Sequence, residues 1–483
     1  MIRWAAIGRV LGLCLAAFGG SMLLPIAYSL AIGGDDLLPL VGACAVTVGV
    51  GGLLWGACRR SIRELSQREG ILLTFSVWLG ASLFGSLPFL FAPGIDTVTD
   101  AVFESASGVT TTGASILEEV EALSSPILLW RAFNSWLGGM GIVVLVIAVL
   151  PLVGHGGMHL YRAEFSGAKS EKLKPRVAET AGSLWGIYLA LTMALFGLLL
   201  LGGLTPFDAL AHAFATLATG GFSTRTASIA AFESPFVEWT TTLFMFLGGT
   251  SFILHYRALV ERRPVGALRD FEFRQYVGTL VAAGSVAAVL LHSQLAYDVA
   301  RAVRTALFQV VSIMTTTGFA TDDFERWPPF GQLILLVLMF TGGCTGSTAG
   351  GMKVSRIALL AKVVSREFKR MVERHGVFAV RVGGRVVPEV TIQSLLNLVY
   401  LAFMINFASC LALSALGVDV FTSISAVAAT MFNIGPALGS VGPTENYSHL
   451  PMLAKWVLMF CMIAGRLEFY TVLVIATPWF WRK

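Results

Sequence analysis

Four short stretches of this sequence close on a glycine in the same way. Counted back thirteen residues from that glycine, they are Asp100 to Gly113 (DAVFESASGVTTTG), Asp208 to Gly221 (DALAHAFATLATGG), Thr305 to Gly318 (TALFQVVSIMTTTG) and Thr422 to Gly435 (TSISAVAATMFNIG). The glycine ends carry no charged side chain, so what they offer is backbone. Glycine tolerates positive φ, which lets consecutive carbonyls point the same way. Rings of carbonyl oxygens can replace the hydration shell of a cation. The candidate ligating residues are Thr111, Thr112 and Gly113; Thr219, Gly220 and Gly221; Thr316, Thr317 and Gly318; and Asn433, Ile434 and Gly435. Threonine hydroxyls, including those of Thr110 and Thr315, either brace these loops or add oxygens. Gly220 leaves the register of the second loop open by one residue. A single TTTG would be an ordinary capped turn, whereas four copies at matching places are an internal repeat.

Each stretch starts with an Asp or Thr suited to N-capping (Asp100, Asp208, Thr305, Thr422) and continues in small apolar residues. A helix of about twelve residues reaches about 18 Å, too short for an apolar core about 30 Å thick. Each must therefore enter the membrane and return, which is tolerated where protein buries the backbone or a water-filled path runs beside it. Half-helices of this kind aim the partial negative charge of their C-terminal ends at the centre.

The rest of the chain supplies the membrane. Of 483 residues 55% are hydrophobic and 13% charged, against about 25% charged in a soluble domain. Soluble enzyme folds are excluded. The net charge of +5 does not point to nucleic acid, because the basic residues gather in short loops, as membrane topology requires. The six cysteines sit in apolar stretches without CxxC spacing and read as small core residues. Spanning segments are expected near 5–32, 37–57, 70–92, 126–153, 181–203, 235–256, 274–292, 330–363, 391–416 and 452–476. Basic loops alternate with acidic ones along this series, which puts both termini in the cytoplasm. The opening segment is longer than a secretory signal and is expected to remain as a helix. The architecture is an all-α integral membrane protein: an N-terminal helix pair (1–60), then four fused units of helix, re-entrant half-helix, loop and helix at 61–154, 155–256, 257–375 and 376–483, closing into a pseudo-fourfold ring.

Two further features stand out. In TGGCTGSTAGGMK (341–353), Gly342, Gly346 and Gly350 have the i, i+4, i+8 spacing of a close helix contact. Gly343 and Gly351, with the hydroxyls of Thr341, Thr345, Ser347 and Thr348, favour instead a break, since glycine costs about 1 kcal/mol relative to alanine in a helix. An unwound loop below the glycine ring would obstruct it. Arg466 lies among apolar residues, where a charge costs at least about 2.5 kcal/mol and marks function by default. A structural ion pair, with Glu468 or Glu104, competes with that reading. Aligning LGGMG, LGGTS, TGGCT and IAGRL puts Arg466 in the place of Met140, Thr250 and Cys344, positions expected to ring a cavity.

His155 and His159 have a metal-compatible i, i+4 spacing without a third ligand or HEXXH, and read as a loop pair. A polytopic membrane enzyme using them is the alternative from another class. Loop 353–388 carries nine basic residues, suited equally to anionic headgroups and to a protein partner. His212 is expected to pack within the second half-helix.

The strings VTTTGAS, ATGGFST, TTTGFAT and FNIGPALG, with the glycine-rich stretch and Arg466, resemble the TrkH/KtrB/HKT superfamily of potassium transporters, in its bacterial TrkH branch, over almost the whole chain. The resemblance implies a potassium-translocating subunit of the inner membrane, a homodimer, and a cytosolic nucleotide-binding regulator, TrkA. It implies no organic cofactor and no catalysis, with K+ itself as the transported ligand. It makes Gly113, Gly221, Gly318 and Gly435 filter glycines. It also makes 341–353, through Gly342, Gly343, Gly346, Gly350 and Gly351, an intramembrane gate working with Arg466. Sodium-favouring plant relatives have serine at the first glycine, so Gly113 favours potassium. Passive and proton- or sodium-coupled flux both remain open.

Overall fold

The computed structural model describes residues 2–59, 65–148, 176–262, 266 and 268–482; His155 and His159 lie outside them. The chain opens with Trp4–Ser21, continued by Leu23–Ile32, and packs it against Leu37–Cys58. Small residues bring these helices close: a Cβ on Gly12 would stand 2.6 Å from the Gly51 carbonyl oxygen, and one on Gly51 would stand 2.5 Å from the Ala16 nitrogen. Lipid gives no hydrophobic drive to such a pair, so close backbone approach supplies the attraction.

Four units of one design follow. Their first helices are Gln67–Gly85, Arg176–Leu201, Phe271–Leu295 and Glu389–Ala415, and their half-helices are Val98–Val109, Pro206–Leu217, Val299–Met314 and Val420–Met431. The returning helices begin at Ser125, Pro235, Pro329 and Met452. The half-helix caps correct the expectation from sequence. Thr97, Thr205, Asp298 and Asp419 are the N-caps, and their side-chain oxygens accept backbone N–H bonds from Asp100, Asp208, Ala300 and Thr422. Asp100, Asp208 and Thr422 thus lie inside the first turn, and Thr305 deeper still. An N-cap must precede the first helical residue, whereas the repeat compared from its glycine begins one turn late.

By length and composition six helices can cross a membrane, and two bent pairs raise that to eight, among the described residues. The expected single crossings at 235–256 and 452–476 are in fact sharply bent. Pro235–Gly248 meets Phe252–Leu259 at 98°, and Met452–Arg466 meets Phe469–Ala476 at 116°. The third unit breaks more fully: Pro329–Met339 has 11 residues, and helix resumes only at Val354. These breaks fall at the aligned motifs LGGTS, TGGCT and IAGRL, where glycine and hydroxyl residues weaken the helix ladder. After the third break Val354–Val372 is amphipathic and leads to a short hairpin pairing Arg381–Val382 with Arg385–Val386.

Candidate functional site

The four half-helices end in loops of one hydrogen-bonding pattern. In the first, Thr110, Thr111 and Thr112 donate their N–H groups back to the carbonyls of Ala106, Gly108 and Ser107 at 2.9, 2.8 and 2.8 Å. The same three bonds recur at 218–220, 315–317 and 432–434. Because a peptide C=O points opposite the N–H of the next residue, these bonds turn the carbonyls of residues 109–111 and their counterparts away from the half-helix. Among the described residues no donor is bonded to the carbonyl oxygens of Thr112, Gly220, Thr317 or Ile434.

Backbone handedness completes the pattern. Gly113, Gly221, Gly318 and Gly435 have φ of 81°, 66°, 82° and 100°, and two residues earlier Thr111, Thr219, Thr316 and Asn433 have φ of 54°, 51°, 56° and 58°. Three threonines and an asparagine held in the left-handed region are strained, and the half-helix bonds hold them there. Gly221, not Gly220, is thereby the counterpart of the other three glycines. The ring closes cyclically. A Cβ on Gly113 would meet the Gly220 carbonyl at 2.5 Å, one on Gly221 the carbonyl of Thr317, one on Gly318 that of Ile434, and one on Gly435 that of Thr112 at 2.6 Å. Each glycine thus faces the unbonded carbonyl that precedes the glycine of the next unit.

The hydroxyls brace this ring. Thr110 Oγ1 donates to the Ala106 carbonyl and pairs with Thr112 Oγ1, both at 2.7 Å, and Thr315 does the same with Val311 and Thr317 at 2.7 and 2.8 Å. The fourth loop differs. Asn433 Nδ2 donates to Thr112 Oγ1 at 2.9 Å and to the Met462 carbonyl at 3.0 Å, and Tyr447 Oη donates to the Gly435 carbonyl at 2.7 Å. On one side the ring opens into a mouth of about 100 Å³ lined by Gly113, Gly221, Gly318 and Pro436, with Glu118 and Glu445 among its acids.

The segment 340–353 sits against the ring and is not helical. Gly342, Gly346 and Gly351 have φ of 75°, 75° and 77°, so the close-packing helix reading of this stretch fails. Its bonds span several units. Gly350 N–H donates to Thr316 Oγ1 at 2.6 Å, Thr348 Oγ1 to the Leu217 and Gly248 carbonyls at 3.0 and 3.1 Å, and Cys344 N–H to the Gly249 carbonyl at 2.8 Å. Gly343 faces the Ala349 side chain and the Gly249 carbonyl. Thr345 N–H and Oγ1 both donate to Glu272 Oε1, at 2.7 and 2.9 Å.

Arg466 is the last residue of its helix and is 3% exposed. Its partners are carbonyls: Nη1 donates to Thr348 at 2.8 Å and Nη2 to Gly138 at 3.3 Å. The ion-pair alternatives fail, because Glu104 binds Arg131 at 2.5 Å and Glu468 binds Arg356 at 2.7 Å. Met140, Thr250 and Cys344, its counterparts by alignment, are buried.

Several residues of this site escape a reading of single motifs. Tyr447, Glu272 and the part-buried pair of Lys455 with Asp100 at 2.5 Å join positions far apart in sequence, with no local spacing to mark them. One signal was available: Glu104, His212 and Gln309 each stand nine residues before a filter-loop glycine. What the whole can do chemically is limited and specific. Neutral carbonyls converge from four units of one design, the half-helix ends add negative potential, and a loop tied to a buried guanidinium adjoins them. That suits transfer of a dehydrated cation.

A family model described as "TrkH: Cation transport protein" matches residues 40–291 and 291–482. The chain is 41% identical over 485 residues to a Trk system potassium uptake protein TrkH of Salmonella typhimurium (strain LT2), covering 100% of both. It is 43% identical over 492 residues to the protein of that name from Vibrio parahaemolyticus serotype O3:K6, again covering 100% of both. Its structure is similar to the crystal structure of the potassium transporter TrkH from Vibrio parahaemolyticus, with TM-score 0.92, 39% identity and 100% coverage of each chain.

Proposed function

The chain belongs to the TrkH cation transport family, and on that premise we propose how its residues carry the transport. It is a multi-pass inner-membrane protein whose function is potassium uptake, and the polytopic-enzyme alternative falls with the transport function of its relatives. Potassium passes through the ring made by 111–113, 219–221, 316–318 and 433–435, ligated by backbone oxygens. The single observation behind this reading is the cyclic relation in which each of Gly113, Gly221, Gly318 and Gly435 faces the preceding carbonyl of the next unit. Segment 341–353, through Gly342, Gly343, Gly346, Gly350 and Gly351, gates the path together with Arg466.

The filter glycines mark one repeat in each of 61–154, 155–256, 257–375 and 376–483, with 1–60 as the added helix pair. Both termini are cytoplasmic, by the clustering of Lys and Arg in alternate loops. The subunit works as a homodimer with a TrkA-like nucleotide-binding regulator, which the basic stretch 353–388 receives on the cytoplasmic side. On Val354–Val372, Phe368, Met371 and Val372 are exposed, an apolar edge suited to such a partner. Potassium and sodium influx into proteoliposomes tests the filter reading. Wild-type protein is expected to favour potassium and Gly318→Ser to lose that preference; an unchanged ratio in the variant counts against it.

A further inference from the structure

Behind the ring, the strand leaving each glycine is held by a buried polar side chain of its own half-helix. Glu104 accepts from Ser115 Oγ at 3.1 Å and from the Ile116 N–H at 3.1 Å. His212 Nδ1 lies 2.7 Å from the Asp208 carbonyl, which can only accept, so Nδ1 carries the proton and Nε2 accepts from Ser223 Oγ at 2.9 Å. Gln309 Oε1 accepts from the Thr321 N–H at 3.1 Å. These three occupy one register, nine residues before Gly113, Gly221 and Gly318, and each is 0% exposed. In the fourth unit that position is Ala426, and Ser425 beside it donates to the Leu438 carbonyl at 2.5 Å. A carboxylate, an imidazole, an amide and a hydroxyl thus perform one task.

The first unit carries an addition. Arg131 pairs with Glu104 at 2.5 Å, donates from Nη1 to the Ser223 carbonyl at 2.9 Å, and lies 3.6 Å over the Phe222 ring. It therefore ties the outgoing strand of the first loop to that of the second. Its counterpart in the third unit, counted from Gly138 and Gly342, is the buried Leu335. The third unit consequently holds its strand with a neutral amide and no ion pair.

We propose that Glu104, His212 and Gln309 are positioning residues for ion selection, holding the outgoing filter strands so that the carbonyl ring keeps one size. In a filter that selects by size, discrimination between potassium and sodium rests on oxygens staying at potassium distance, and a strand free to move inward would accept the smaller ion. This rests on the filter reading above. A group holding protein shape alone would affect melting but not the ion ratio.

The test transplants one brace onto another. Glu104→Gln with Arg131→Leu copies the third unit into the first, and Glu104→Ala with Arg131→Leu removes the brace without stranding a buried charge. Potassium and sodium influx are measured per folded protein in proteoliposomes, with Gly113→Ser alongside. The glutamine pair is expected to keep the wild-type ratio. The alanine pair, which loses the bonds from Ser115 and Ile116, is expected to lower it about tenfold, within the net range of two hydrogen bonds. Should the alanine pair not fold, Gln309→Leu asks the same question in the third unit with no charge involved. The proposal is overturned if the alanine pair or Gln309→Leu keeps the wild-type ratio while Gly113→Ser shifts it. It is equally overturned if the glutamine pair loses as much selectivity as the alanine pair. If Gly113→Ser also leaves the ratio unmoved, the filter reading itself falls.

Discussion

Arg466 donates from Nη1 to the Thr348 carbonyl at 2.8 Å, joining the end of the last unit's returning helix to the loop that interrupts the third unit's. Among the described residues Arg466 Nε has no hydrogen-bond partner and no carboxylate pairs with the guanidinium. The loop it holds reaches the glycine ring through Gly350 and Thr316, so the buried charge and the non-helical segment are joined through one chain of contacts.

Arg466→Ala is expected to raise potassium uptake. A positive charge about 5 Å from a passing cation costs about 3 kcal/mol at an effective dielectric of about 20, and half of that corresponds to about tenfold in rate. Arg466→Lys keeps the charge and should keep uptake low. Rubidium uptake per folded protein decides it; a well-folded alanine variant with wild-type uptake removes Arg466 from permeation.

Loosening the loop should act in the same direction. Thr348→Val preserves shape and removes the hydroxyl bonded to Leu217 and Gly248, a loss of about 1 kcal/mol. Basal uptake is expected to rise about fivefold, and deletion of 346–350 to raise it further. Reduced uptake in folded protein of either variant would show that the segment supports the pore rather than blocking it.

Among the glycines, substitution should hurt unequally. A Cβ at Gly113 meets the Gly220 carbonyl at 2.5 Å, whereas one at Gly318 comes closer still to that of Ile434. Both positions also have positive φ, which serine resists. Gly113→Ser is therefore expected to weaken potassium preference with the smaller loss of thermal stability, and Gly318→Ser to lose selectivity and more of its thermal stability. The reverse order, read by sodium influx and melting temperature, would contradict the cyclic packing.

Glu325 accepts from the Gly439 N–H at 2.6 Å and lies beside Gly442, a lining residue of the mouth in the loop that follows Gly435. Burial, then the neighbouring Glu445 carboxylate, push its carboxyl up to about 7. A raised folded-state value means the contribution to stability is complete below the ordinary carboxylate range and is lost as pH rises toward 7. Glu325→Gln, permanently neutral, should melt like wild type at pH 4 and above it at pH 8. Parallel melting curves for the two proteins from pH 4 to 8 would refute this titration.

The membrane class, the four half-helices, their glycines and the broken segment 341–353 were all legible in the sequence. The reason is that each depends on local rules: hydropathy over a crossing, the reach of a short helix, and the tolerance of glycine for positive φ. Tertiary structure decided the rest. It chose Gly221 over Gly220, because only one of them faces the Thr317 carbonyl of the next unit. It bent the expected crossings at 235–256 and 452–476, where glycines and hydroxyls permit a break but only packing against neighbours selects its angle. It also gave Arg466 carbonyl partners and assigned Glu104 to Arg131. Sequence can place a charge in the membrane, but which group neutralises or holds it is decided by side chains that approach from hundreds of residues away.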